Sequence, residues 1–241
     1  MSFDRLFAGQ EATWPPAARW RHGPWCIRDG QGGGKRVSAT TAEADVADVD
    51  VPAAEVAMAA LGQPCLFMLR EGESGLDATL AVRGYEVVDP VLLLSAPIGG
   101  VAAPPPPPVS AFTVWQPLAI MEELWAENGI GPARRAVMER VTGPKTAVLG
   151  RQSDRAAGVA FAAVHEDMCF VHAMAVSPEH RRKGTARNMM HAAAIWGQAE
   201  GAETLVVLVT EANTGAHALY SSLGMTPAAR YHYRMIPPEK G

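Results

Sequence analysis

The stretch Val176-Ser-Pro-Glu-His-Arg-Arg-Lys-Gly-Thr-Ala186 lies between an apolar run and a long helical pattern. It sets a basic, glycine-containing turn at a predicted helix N-terminus. Backbone N–H groups there have no intrahelical partner and can hold an anion. The amides of residues 182–186 can converge on one phosphate, helped by the helix dipole. Arg181, Arg182 and Lys183 add charge at the rim. Gly184 lets the backbone pass close to the anion, and Ala186 keeps the first helical turn slim. A solvated basic helix start has the same local sequence, so the surrounding elements decide the reading.

Three strand patterns precede the turn, at residues 146–151, 156–164 and 168–176. Gln152-Ser153-Asp154 and His165-Glu166-Asp167 are connections short enough for antiparallel hairpins. Beyond the turn, residues 184–198 form a helix pattern with an alanine- and methionine-rich side. Thr204-Leu-Val-Val-Leu-Val209 is apolar throughout, as in a central strand. Residues 211–223 suit a last helix stopped by Gly224, and residues 225–236 can supply two more strands. Upstream, a strand at 110–115 leads into a helix carrying Ile120, Leu124 and Trp125, ended by Asn128-Gly129. A second helix starts at Pro132. The order β-α-α-β-β-β-α-β-α-β-β predicts an α/β (α+β) domain, a mixed and mostly antiparallel sheet flanked by helices.

Five consecutive prolines in residues 104–108 favour an extended polyproline segment. Residues 102–109 are therefore expected to link an N-terminal domain, 1–101, to a C-terminal domain, 110–241. In the first domain, residues 20–28 and 35–41 flank a glycine-rich turn and predict a hairpin. A short helix over 53–60, a strand over 64–70, a helix over 75–83 and two strands broken at Asp89-Pro90 come next. The helix Gly75-Leu-Asp-Ala-Thr-Leu-Ala-Val-Arg-Gly-Tyr85 echoes Gly215-Ala-His-Ala-Leu-Tyr-Ser-Ser-Leu-Gly-Met225, which suggests two related units.

With 21 basic and 25 acidic residues, the chain offers no general attraction to nucleic acid or to an anionic membrane. No apolar run reaches the roughly 20 residues that span a bilayer. Cys26, Cys65 and Cys169 form no CxxC pair, and the histidines show no metal-ligand spacing with thiols or carboxylates. These features predict a cytoplasmic protein without a metal site, a monomer or homodimer.

Arg181, Gly184 and Ala186 match the (Q/R)-x-x-G-x-(G/A) acyl-CoA signature of the GCN5-related N-acetyltransferase superfamily, and residues 110–236 resemble that family in element order. The resemblance extends to Asn213 before the last helix and Tyr220 within it. The N-terminal domain resembles a degenerate member of the same fold. It lacks the basic turn, so no cofactor is expected there. The resemblance implies direct acetyl transfer from acetyl-CoA to an amine. The pantetheine arm would lie between the strands at 168–176 and 204–209, along the backbone of Met174, Ala175 and Val176. The pyrophosphate would sit on Arg181, Arg182, Lys183, Gly184, Thr185 and Ala186.

Tyr220 is the candidate acid for the departing thiolate, or else an aromatic packed between helix and sheet. Asn213 would hold pantetheine, cap its helix, or both. His172 is a candidate base, because strand alternation puts it on the face of Met174; a structural histidine bonded to the backbone is the alternative. Glu122 or Glu123 could bind an amine or relay a proton, unless both are solvated surface. Trp115 and Trp125 could shape an acceptor pocket or belong to the core. A small-molecule amine or amino-acid-like acceptor is expected, with a peptide or protein N-acetyltransferase and a non-catalytic acyl-CoA sensor or scaffold as alternatives.

Overall fold

The computed structural model describes residues 2–237. In chain order the elements are α1 (Phe3–Thr13), β1 (Ala18–His22), β2 (Trp25–Asp29), α2 (Lys35–Ser38), β3 (Thr41–Ala42), α3 (Val51–Ala60), β4 (Leu66–Arg70), α4 (Ser74–Val82), β5 (Glu86–Pro97) and α5 (Ile98–Ala102). They continue with β6 (Ala111–Val114), α6 (Ala119–Glu127), α7 (Pro132–Arg140), β7 (Lys145–Gln152), β8 (Arg155–His165), β9 (Met168–Val176), α8 (Thr185–Ala199), β10 (Thr204–Thr210), α9 (Thr214–Ser222) and β11 (Thr226–Met235). Single 3-10 turns occupy Asp48–Asp50 and Pro178–His180. No helix among the described residues is long and apolar enough to cross a membrane.

Two compact units emerge, and their limits differ from those expected at the proline run. The larger holds residues up to Pro15, Leu93–Val209 and Asn213–Ala228; the smaller holds Pro16–Leu92, Thr210–Ala212 and the chain from Ala229 on. The physical reason is packing on both sides of the prolines. Helix α1 buries Leu6 and Phe7 in the larger unit, where Gly9 lets the helix approach so closely that an added Cβ would stand 2.6 Å from the Phe170 ring. Helix α5 packs on α8, and the Val101 carbonyl lies 2.6 Å from His191 Nδ1.

In the larger unit β6, β7, β8 and β9 form consecutive antiparallel pairs, and β10 joins β9 in parallel. Ser153 and Asp154 turn β7 into β8 with φ of 50° and 61°, a tight hairpin built without glycine. The central strands read as apolar runs because both faces are covered; Gly158 through Val164 are all buried.

In the smaller unit β1, β2 and β3 form an antiparallel meander, and β4 pairs antiparallel with the end of β11. Its core gathers Trp25, Ile27, Met58, Phe67, Leu80 and Tyr85. Residues 35–38, expected within a strand, form the short helix α2. The expected break at Asp89-Pro90 is absorbed inside one strand, β5, with Asp89 at φ 44°. The tail likewise forms one strand rather than two.

The order β-β-β-α-β-α-β occurs twice, from β1 to β5 (with α2 inserted) and from β7 to β11. Helices α4 and α9 have the same length and start 140 residues apart, at Ser74 and Thr214. Both end on glycine, with the Tyr85 amide donating to the Leu80 carbonyl and the Met225 amide donating to the Tyr220 carbonyl. Leu80 therefore stands where Tyr220 stands in the second repeat.

Candidate active site

A bulge in β9 opens the site. Val159 pairs with Ala175 and Phe161 with His172, so Ala173 and Met174 together face Ala160. Ala173 takes φ 49°, in the left-handed region. Two residues against one turn the strand and re-aim the side chains beyond the bulge. The parallel pairing of β9 with β10 runs from Met168↔Thr204 to Val171↔Val207 and stops at the bulge. Beyond it the pairing does not continue, and a cleft of about 910 Å³ is lined by Met174, Ala175 and Val176 from β9, by the turn and first residues of α8, and by α9.

The basic turn closes one end of this cleft. Arg182 (φ 63°) and Gly184 (φ 88°) both take left-handed conformations, and α8 begins at Thr185. No atom lies within 4 Å of a Cβ built on Gly184, so glycine is needed there for its dihedral and not for space. No side chain caps α8, which leaves its first amides facing the cleft. Thr185 is buried, and its Oγ1 has no hydrogen-bond partner among the described residues. A buried hydroxyl without a partner costs about 1–3 kcal/mol, and an anion in the turn would supply the missing partner. Arg181 folds back, its Nε donating to the Val176 carbonyl at 3.0 Å. Arg181, Arg182, Gly184, Thr185 and Ala186 all line the cleft; Lys183 is exposed and does not.

The far wall is α9. Asn213 Oδ1 accepts the Ala216 amide at 3.1 Å, a helix cap, and the residue also lines the cleft. Tyr220 is 7% exposed and lines the cleft, and burial pushes its phenol up to about 12. Arg187 on α8 donates to Ser222 Oγ on α9 at 2.7 Å, linking the two walls.

The bulge removes His172 from this arrangement. Strict alternation would put His172 on the face of Met174; the extra residue breaks the alternation. His172 is 4% exposed, its Nε2 lies 2.9 Å from Thr13 Oγ1, and its ring stacks on Phe170 with centroids 5.9 Å apart. It does not line the cleft. Glu122 pairs with Arg135 and Glu123 is exposed; neither reaches the cleft, because α6 turns them outward. Trp125 is fully buried, its indole bonded to the β9 backbone, and Trp115 packs on Phe161 and under the Lys145 ammonium.

Asn128, Ile130, His180, Arg187 and Ser222 line the cleft without having been singled out by the sequence. Asn128 and Ile130 sit on the α6–α7 connection, where Asn-Gly signals only a helix stop. Arg187 and Ser222 lie one and two residues beyond Ala186 and Tyr220, so extending each motif along its helix would have found them.

Comparison with known proteins agrees with this geometry. The family model described as "Acetyltransferase (GNAT) family" matches residues 117–225. A GCN5-related N-acetyltransferase from Kribbella flavida is 22% identical, with TM-score 0.71 over 97% of this chain and 95% of that one. A putative GNAT-family acetyltransferase from Novosphingobium aromaticivorans is 18% identical, with TM-score 0.58 over 95% of this chain and 92% of that one. A tandem GNAT protein from the clavulanic acid biosynthesis pathway is 13% identical, with TM-score 0.61 over 94% of this chain and 86% of that one. At these identities the likeness is one of fold. A search of curated proteins gives no match. Residues 117–225, which hold the glycine turn and the cleft edge, thus carry the match to the GNAT family, and the chain has the fold of the GNAT proteins to which it is similar.

Proposed function

We propose that this protein transfers an acetyl group from acetyl-CoA directly to the primary amine of a small-molecule or amino-acid-like acceptor. The observation that carries the reading is the cleft itself: one end is a turn with free amides and an unpartnered buried hydroxyl, and Tyr220 stands on its wall. The turn at 181–186 would take the pyrophosphate of the donor. The β9 edge at Met174–Val176 would accept pantetheine as a neighbouring strand would. An amide on that edge would also steady the oxyanion that forms when the amine attacks.

In the reaction the amine nitrogen bonds to the thioester carbon, the C–S bond breaks, the amine loses a proton and the thiolate gains one. Tyr220 supplies a hydrogen bond to the departing sulfur. With its phenol pushed up to about 12 by burial, Tyr220 is a weaker acid than a thiol, so donation without full transfer is the favoured role. His172 is enclosed away from the cleft, so solvent takes the ammonium proton before attack, and the second proton, lost from nitrogen as the amide forms, passes through solvent to the thiolate. The smaller unit is a degenerate repeat. Leu80 replaces the phenol, and Asp48-Val49-Asp50 precedes α3 where basic residues precede α8.

The test is thiol release from acetyl-CoA with a panel of small primary amines, and a lysine peptide for comparison, followed against pH. With no enzyme base, kcat/KM climbs about tenfold per pH unit toward the amine pKa near 10. A plateau above pH 7 would instead reveal an imidazole base. Tyr220→Phe is expected to lower kcat about 10- to 100-fold with CoA affinity within about twofold. Unchanged kcat would remove Tyr220 from the chemistry, and CoA binding with no thiol release for any amine would favour a sensor.

A further inference from the structure

The bulge at which the pairing of β9 with β10 stops has a specific anchor. Trp125 on α6 is fully buried, and its indole Nε1 donates to the carbonyl of Ala173 at 2.8 Å. Ala173 is the bulge residue itself, held at φ 49° although it carries a Cβ. A non-glycine residue keeps that conformation only when its surroundings fix it. A ladder bond to a neighbouring strand would fix it differently, because in regular β structure the same carbonyl would point along the sheet. The indole instead holds this carbonyl toward α6. Met174, Ala175 and Val176 come directly after it and form the cleft edge.

We propose that Trp125 and Ala173 are a positioning pair: the indole N–H holds the bulge, and the bulge sets the β9 edge in the form that accepts the pantetheine arm. The claim rests on the acetyl-CoA reading above and adds to it which residues make that edge competent. The basic turn lies beyond Val176 and is set by its own left-handed residues, Arg182 and Gly184. The pair therefore governs one half of the donor and not the other.

Calorimetry with two ligands separates the halves. Acetyl-CoA uses both the turn and the β9 edge; 3′-phosphoadenosine 5′-diphosphate, its nucleotide part, uses only the turn. Trp125→Phe keeps an aromatic ring and removes the donor. It is expected to weaken acetyl-CoA about tenfold, the worth of a lost buried hydrogen bond, and the nucleotide less than about twofold. Adding Ala173→Gly, which takes positive φ freely, should restore most of the lost acetyl-CoA affinity. Equal weakening of both ligands, no weakening of either, or no recovery in the double variant would overturn the pairing. Should Trp125→Phe fail to fold, Ala173→Val meets the same test from the other side. A β-branched residue resists positive φ, so selective loss of acetyl-CoA supports the proposal and equal loss overturns it. A wild-type protein that binds acetyl-CoA yet acetylates no amine defeats the catalytic reading and leaves this two-ligand test standing.

Discussion

Thr185 shows how a single side chain can be left unsatisfied in the free protein. It is buried at the start of α8 with no partner for its hydroxyl among the described residues. Thr185→Val keeps the branched shape and removes the unsatisfied oxygen. The free protein is expected to gain about 1 kcal/mol while acetyl-CoA binding weakens, opposite signs from one change. Thermal melts with and without acetyl-CoA measure both; a variant that is less stable when free would show that the hydroxyl already has a partner. The sequence made this turn legible because its parts are adjacent in the chain and their chemistry is local: glycine for a left-handed dihedral, unpaired amides, basic flanks. The face of His172 was not legible for a related reason. Alternation along a strand is a rule about regular backbone, and nothing near residue 173 announces a bulge, since the residue there is alanine. The anchor for that bulge, Trp125, is 48 residues away in sequence.

Among the elements, helices α4 and α9 were read correctly, because glycine stops and apolar spacing fix short helices locally. What holds each in place differs. Asn213 caps α9 by accepting the Ala216 amide. In the smaller unit α4 is held to the end of β11 through Asp77, which accepts Arg234 Nε at 2.8 Å and lies 2.7 Å from His232 Nε2. Arg234 also donates to the Tyr85 carbonyl, at 2.8 Å. The Arg234 hydrogen bond, more than its partner His232, holds the Asp77 carboxyl below its ordinary range. A lowered carboxylate contributes stability that is complete above about pH 4 and is lost as pH falls through the depressed value. Asp77→Asn is therefore expected to lower the melting temperature at pH 7, with the difference from wild type shrinking below pH 4. A difference unchanged at pH 2 would mean that charge at Asp77 contributes nothing. This link was invisible in the sequence because its partners come from helix and strand more than 150 residues apart.

For the whole chain, the proline run misled because composition reports stiffness and exposure, not which segments pack together. Helices α1 and α5 precede the prolines yet belong to the larger unit, through Leu6, Phe7 and Trp14 on one side and the His191–Val101 contact on the other. A fragment of residues 110–241 should accordingly lack a cooperative unfolding transition, having lost α1 from the β8–β9 face and exposed its apolar footprint. A sharp melt with native acetyl-CoA affinity would restore the proline run as the boundary. The repeated element order was half visible as the echo between residues 75–85 and 215–225; the rest depended on seeing strands too short or too irregular to read, such as β3 with two residues. The central claim is chemical, and mass spectrometry tests it most directly. Protein, acetyl-CoA carrying an isotopic label in its acetyl group, and an accepted amine are incubated together. The label is expected in the amine, with one free thiol released for each acetyl transferred. Label that stays on CoA, or leaves as acetate at the same rate with and without amine, would contradict acetyl transfer by this protein.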